Sequence, residues 1–335
     1  MIYKWRSLIF TYSNIPLLPV FELWLGRRKD QLHMNSTPIA PDLSVIIINW
    51  NTRQLLSQCL QSVVDNLHDL MIESFVVDNG STDNSVEMVR KEFPEVTLIE
   101  NRENLGFAKA NNQAIQLSHG RYILLLNSDA FLTPNAIQSM LNVMESDLSA
   151  GIAGAHLVYP DGRSQVSHRP LPNYWTEINS LFGLDKMSIR KINHRKYDEI
   201  GSVIGACMLI RKSLLDQIGL LDEAFFMFNE EVDLCNRCHK VGSKVVYLDS
   251  AIVVHVEGGS TGQTVQRVIR LYSGKLHYFN KHFGANSELR LKRIMIIATN
   301  LKIVIYRFLK YLSLGHIRKD EFWYAVSNEL MSTLK

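Results

Sequence analysis

The sequence predicts an α/β protein: a doubly wound, mostly parallel sheet flanked by helices, with a helical C-terminal tail. Three observations predict it. Short, wholly apolar and largely β-branched runs alternate with stretches of helical periodicity from residue 44 onward. Asn or Asp ends or soon follows each of the first four runs, so polar groups collect at one edge of the sheet. The chain has 335 residues, 46% apolar and 21% charged, enough to bury a large core.

Taken in order, SVIII (44–48) is the first strand and RQLLSQCLQSVVDNL the first helix. SFVVD (74–78) is the second strand. STDNSVEMVRKEF is the second helix, with Ser81 or Thr82 as its expected cap and Asp83 near its positive end. VTLIE (96–100) and GFAKANNQAIQLS form the third pair, and YILLLN (122–127) is the fourth strand. Pro134 is expected in the first turn of the helix that follows. Further strands are read at GIAGAHLVYP, VIGACMLIR, SKVVYL (243–248) and AIVVHV. Between them, residues 160–200 show no clear period, which marks a functional or mobile segment. In an open parallel sheet, ligands bind outside the carboxyl ends of the strands. Those ends carry Asn49 and Asn51, Asp78 and Asn79, Asn101 and Asn104, Asn127 and Asp129.

A net charge of +3 gives no case for nucleic acid. Four cysteines make no disulfide framework, so a reducing, cytoplasmic setting is expected, and Cys235 and Cys238 are read as packing residues rather than a zinc pair. At the N-terminus, Lys4 and Arg6 precede an apolar stretch that Asn14, Pro16, Pro19 and Glu22 interrupt, so residues 1–41 are read as an extension.

Several residues carry possible chemistry. Asp129 follows a buried strand at the ligand edge, where one carboxylate suits a hard divalent cation that also takes phosphate oxygens; starting a turn before Pro134 explains it equally well. His255 ends AIVVHV and is either a core residue or a ligand. Gly258 and Gly259 follow, either a phosphate-approaching hinge or an ordinary turn. Asp78 could accept hydrogen bonds from a base or ribose, yet neither GxGxxG nor GxxxxGK[ST] occurs. In FFMFNEEVDLCNRC (225–238), Glu230, Glu231 and Asp233 sit directly behind three phenylalanines. A helix starting near Glu230 offsets their repulsion, and Asp233 pairs with Arg237 at i, i+4. Positions 231 and 233 lie about 200° apart around a helix, so one acid serves a site and the other the helix. Simple helix capping by all three is the alternative.

These stretches, SVIIINWN, VVDNGSTDNSV, ENLGFAKANNQAI, LLLNSDAFLTP, IGACMLIRKSLLDQIGLLDEAFFMFNEEVDLCNR and VVHVEGGST, together resemble the family 2 glycosyltransferases, inverting enzymes of the GT-A fold. LNSDAFLTP and FMFNEEVDL are most similar to bacterial rhamnosyltransferase-type enzymes of surface polysaccharide assembly. The resemblance implies a GT-A domain over 42–262, its nucleotide half 42–130 and its acceptor half 131–262, followed by a helical region 263–335. It implies a nucleoside-diphosphate sugar as donor, dTDP-rhamnose in the rhamnosyl reading, and a glycan or lipid-linked acceptor. It also implies Mn²⁺ or Mg²⁺ at Asp129 and His255. Asn127 stands where the family's first DXD aspartate would be. Donor-side residues by resemblance are Asn49, Asn51, Asp78, Asn79, Asn104, Gly106, Lys109, Asn127, Gly258 and Gly259. Glu231, with Glu230 beside it, occupies the position of the catalytic base, where many relatives carry Asp. A sugar nucleotidyltransferase remains an alternative, although INWNTRQ lacks the glycines expected of one; so does a non-catalytic sugar-nucleotide-binding protein.

RIMIIATNLKIVIYRFLKYLSL (293–314) is apolar but holds Lys302, Arg307 and Lys310, which argues against a spanning helix. It is either a helix docked on the domain or an interfacial helix at the inner face of the cytoplasmic membrane.

Overall fold

In the computed structural model, which describes residues 40–66, 70–182, 197–256, 264–312 and 319–332, the apolar runs become strands of one mixed sheet. The strands are β1 (Leu43–Asn49), β2 (Ile72–Asp78), β3 (Thr97–Glu100), β4 (Tyr122–Asn127), β5 (Ala130–Leu132), β6 (Ala150–Val158), β7 (His168–Arg169), β8 (Asp198–Glu199), β9 (Ser202–Val203), β10 (Cys207–Arg211) and β11 (Lys244–His255). The main order is β3-β2-β1-β4-β10-β6-β11-β5, with β8 on β11, while β7 and β9 pair separately. Parallel pairing joins β1, β2, β3 and β4, and also β6 and β11. Strand β10 is antiparallel to both β4 and β6.

The helices are α1 (Arg53–Val64), α2 (Ser85–Glu92), α3 (Phe107–Leu117), α4 (Ala136–Ser146), α5 (Tyr174–Leu181), α6 (Lys212–Ile218), α7 (Glu230–Lys240), α8 (Val265–Phe283), α9 (Ala285–Leu312) and α10 (Lys319–Ser332). Strand alternation sends Val45 and Ile47 into one apolar layer and Ile46 into the other, so both faces of the sheet are covered. A third cluster unites Tyr272, Phe279, Leu291, Met295 and Leu330 of the C-terminal helices with Phe225 and Val232. Cys235 and Cys238 are fully buried, and burial pushes the Cys238 thiol up to about 12.

Three local expectations need correction. Helix α2 is preceded by Asn84 in the left-handed region, not capped by Ser81 or Thr82. Those two residues are instead tied to Asn51, whose Oδ1 accepts from the Thr82 N–H at 2.8 Å. Pro134 lies before the left-handed Asn135 that precedes α4, one step outside the helix. The two expected strands 243–248 and 251–256 form one strand, β11, with a register shift between Leu248 and Ile252 that lets it bend past β6. In the long segment 160–200, the described stretch 160–182 includes a helix: Asn173 caps α5 through the Trp175 and Thr176 N–H groups. The buried ion pair Lys275–Glu177, at 2.5 Å, ties α5 to α8.

Candidate active site

Register aligns the strand ends. Asn49 faces Asp78, Asp78 faces Glu100, and Ile48 faces Asn127, so the polar residues after β1, β2 and β4 share one edge. Much of that polarity is used internally. Asn49 is fully buried; its amide donates to Asp78 Oδ1 (2.8 Å) and Ser81 Oγ (3.0 Å), and its Oδ1 accepts from Thr52 Oγ1 (2.7 Å). Asp78 Oδ2 accepts from the Ser81 N–H at 2.8 Å. Asn79 donates to the Gly106 carbonyl at 3.1 Å and accepts from Asn101, while Asn104 Oδ1 accepts from the Gly106 N–H at 2.9 Å. These side chains brace the loops at the mouth of the sheet. Asn51 is exposed there with φ 55°, and Lys109 is exposed on α3. Asp83 reaches the starts of two helices; burial works to raise its carboxyl, but hydrogen bonds from the Ser85 hydroxyl and from the Arg53 and Ser85 N–H groups hold it below the ordinary value.

The opposite half of the edge is made where β11 pairs with β5. That pairing sets His255 beside Ala130 and brings His255 Nε2 to 3.4 Å from Asp129 Oδ1, both residues buried. Gln165, in the segment without periodicity, grips the ring from behind. Its Nε2 donates to the His255 carbonyl oxygen at 2.5 Å, and its Oε1 meets His255 Nδ1 at 2.9 Å. A carbonyl oxygen can only accept, so the amide nitrogen must face it and Oε1 must face the ring; Nδ1 is therefore the donor. The other ring nitrogen, Nε2, is the one turned toward Asp129. A carboxylate and a ring nitrogen at this separation are the kinds of group that can share a divalent cation. A pair of protein donors leaves the remaining positions to phosphate oxygens and water, as Mg²⁺-type ions require. Among the described residues no cluster of three or more His, Cys, Asp or Glu forms a closed cage. Gly258 and Gly259 lie outside the described residues.

Substituting Gln165 with Leu removes both hydrogen bonds to His255. Mn²⁺ affinity should fall about 10- to 100-fold, read by paramagnetic resonance of free Mn²⁺, with an unchanged melting temperature as the check on folding.

The acids of α7 occupy contrasting surroundings. Phe228 and Asn229 precede the helix with φ of 74° and 72°, a conformation bulky residues avoid. Gly274 of α8 makes room for this turn: a Cβ there would lie 2.6 Å from the Phe228 carbonyl oxygen. The turn delivers Glu231 against Gly205, whose neighbour Ala206 accepts from the Asn127 N–H at 3.0 Å. Glu231 and the β4 end thus share a wall. Glu230 Oε2 and Glu231 Oε2 are buried with no hydrogen-bond partner among the described residues. Burial raises both carboxyls above the usual range, and the Glu231 charge raises Glu230 further; backbone N–H groups at the helix start and the Arg169 charge work against the rise at Glu231.

Asp233 faces the other way, as the helical spacing predicts. It accepts from Arg237 Nε (2.8 Å), Lys281 Nζ (2.9 Å) and His282 Nε2 (2.8 Å), which fastens α7 to α8. Burial opposes ionisation, but bonds from His282, Lys281 and Arg237 win and hold the carboxyl well below its ordinary value. A depressed folded pKa means stability present above the unfolded carboxylate value, near ~3.9, and lost as pH falls through the folded one. Asp233→Ala should cost roughly 3 kcal/mol at neutral pH, toward the low end for a broken buried pair because Lys281 keeps some access to water. Urea titrations of variant and wild type should converge in acid.

The three phenylalanines divide. Phe225 is 2% exposed in the core, with His277 at its edge. Phe226 and Phe228 instead lie under Arg270 (4.5 Å) and Arg267 (5.4 Å), stacking that stabilises the cations at this edge. A cleft of about 190 Å³ opens there between Trp50, Phe228, Arg267 and Arg270. The approach is close, since a Cβ on Gly106 would lie 2.3 Å from the Phe226 carbonyl oxygen, and Gly106 has φ of 85°. Sequence reading missed Gln165, Gly205, Arg267 and Arg270. Only the two arginines, three apart at a helix start, left a signal, and it pointed to no site by itself.

Residues 44–219, more than half of the chain, match the sequence profile of glycosyl transferase family 2. The chain belongs to this family. Among curated relatives, the transferase is 29% identical over 220 residues to N-acetylglucosaminyl-diphospho-decaprenol L-rhamnosyltransferase of Mycobacterium tuberculosis, spanning 57% of this chain and 69% of that protein. It is 25% identical over 268 residues to a low-salt glycan biosynthesis hexosyltransferase of Haloferax volcanii, spanning 79% of this chain and 82% of that protein. Its fold matches that of a mannosyltransferase from Pyrobaculum calidifontis solved with GDP-Man and Mn²⁺, at a TM-score of 0.54 and 15% identity over 94% of this chain and 93% of that one. The family 2 transferase therefore has the GT-A type of fold, with β10 set antiparallel into the parallel sheet.

Proposed function

We propose that this family 2 transferase moves a sugar, with inversion, from a nucleoside-diphosphate donor to a hydroxyl of a glycan or lipid-linked acceptor. What supports the reading is the Asp129–His255 pair at the sheet edge together with Glu231, packed against Gly205 beside the residue that bonds the end of β4. Glu231 takes the proton of the acceptor hydroxyl as its oxygen attacks the anomeric carbon, and the bond to the nucleoside diphosphate breaks on the opposite side. Asp129 and His255 would hold Mn²⁺ or Mg²⁺, which supplies positive charge to the departing diphosphate. Arg267 and Arg270 add fixed cations beside Trp50, and the braced loop from Asp78 to Gly106 receives the nucleoside. The match to the mycobacterial enzyme favours a deoxyhexose donor such as dTDP-rhamnose and a lipid-diphosphate sugar acceptor.

Calorimetry with dTDP, UDP and GDP, each with and without Mn²⁺, followed by product analysis with the matching sugar nucleotide, tests the reading. Cation-dependent binding of one nucleotide and formation of a new glycoside are expected. A product that is itself a sugar nucleotide, or binding without any turnover across acceptors, would overturn it.

A further inference from the structure

Helix α9 buries one side, with Leu291, Met295 and Ala298 in the cluster it shares with α8 and α10 and Ile303 buried as well. Its other side is open. Ile297, Leu301, Val304, Ile305, Phe308 and Leu312 are 43% to 65% exposed, and Tyr311 is 81% exposed. At 100° per residue these seven fall within a face about 120° wide and about 24 Å long. An apolar strip of that length is unusual on a surface left to water.

The cations of this segment do not interrupt the strip. Lys302 Nζ sits 4.1 Å over the Trp323 ring, Arg307 lies 5.9 Å over the Tyr324 ring, and Lys310 reaches Asp320 and Glu321 at 3.4 Å each, so all three are turned onto α10. Exposed Arg290 and Arg293 fall on the same face as the strip, one to two turns before Ile297. Residues 290 to 319 contain eight Lys or Arg and no acid. Among the described residues no helix is long and apolar enough to cross a membrane.

We propose that this face of α9 docks in the plane of an anionic lipid bilayer, its aliphatic strip at the acyl boundary and Arg290 and Arg293 among the head groups. A second copy of the chain is a poorer occupant. It would set guanidinium groups against an apolar or like-charged surface on which the strip's own segment offers no carboxylate, whereas anionic head groups satisfy every cation on the face. The inference stands apart from the reading of the donor site, because docking requires neither nucleotide nor transfer.

The test is flotation of the full chain with vesicles of phosphatidylglycerol mixed into phosphatidylcholine, against phosphatidylcholine alone. The wild type should float with the anionic vesicles, less so at high salt, and weakly with the neutral ones. Val304→Gln/Phe308→Gln should lower partitioning about tenfold or more. Arg290→Gln/Arg293→Gln should lose the preference for the anionic vesicles. All four positions are exposed, and melting curves verify that both variants fold. Wild-type protein that stays unbound, or apolar variants that float as well as wild type, would overturn the proposal. So would a wild-type dimer in sedimentation velocity that the Val304/Phe308 variant dissolves while neither form floats.

Discussion

Glu231→Gln should reduce transfer about 10³-fold, within the span that removal of a general base produces, while binding of the donor nucleotide stays within a factor of two or so of wild type. Glutamine keeps the shape against Gly205 and the bonds at the start of α7, so the fold is not at issue. What it removes is the ability to accept a proton in the transition state. The pH profile carries a second, independent sign. Burial raises the Glu231 carboxyl, and a base acts only when ionised, so under the proposed role the acidic limb of kcat should lie above the ordinary carboxylate range. In stability the sign is opposite: a raised folded pKa favours the fold at low pH, and that contribution is lost as pH rises through it. Turnover of Glu231→Gln at the wild-type rate would remove Glu231 from the mechanism and leave the donor site untouched.

Asp129→Asn should weaken Mn²⁺-dependent binding of the donor's nucleoside diphosphate by at least about a hundredfold, since a cation on the diphosphate is worth several kcal/mol. The substitution keeps the volume and the β5–β11 pairing that sets Ala130 against His255. Calorimetry in Mn²⁺ and in chelator separates the effects: wild type should show a large difference between the two, and the variant almost none. If wild type and variant bind equally in Mn²⁺, Asp129 is a turn residue after all. This result also separates the metal half of the site from the base half, because Glu231→Gln is expected to preserve the same binding.

Most of the nucleotide half was legible in the sequence because its order is local. Apolar β-branched runs of four to seven residues, separated by helices, can pair only as parallel strands covered on both faces, and β1 to β4 follow that pattern. Helix α7 was legible for the same reason, with Asp233 and Arg237 one turn apart. The roles of the asparagines at the strand ends were not. Asn49, Asn79 and Asn101 hydrogen-bond one another's loops across 22 to 32 residues of sequence, and no spacing rule distinguishes a brace from a ligand. Gln165 was hidden more completely, since its partner His255 is 90 residues away.

Read from residues alone, the chain already gives the alternation of strands and helices, the edge to which the polar residues go, and the opposite facing of Glu231 and Asp233 on their helix. Each follows from backbone geometry that repeats every two or every 3.6 residues. Which face of α9 stays open, which of the three phenylalanines enters the core, and that β11 carries His255 to Asp129 under the hold of Gln165 emerge only once the chain is folded. Those outcomes depend on pairings between distant segments. Long-range contacts of that kind are selected by the packing of the whole core, and no local period records them.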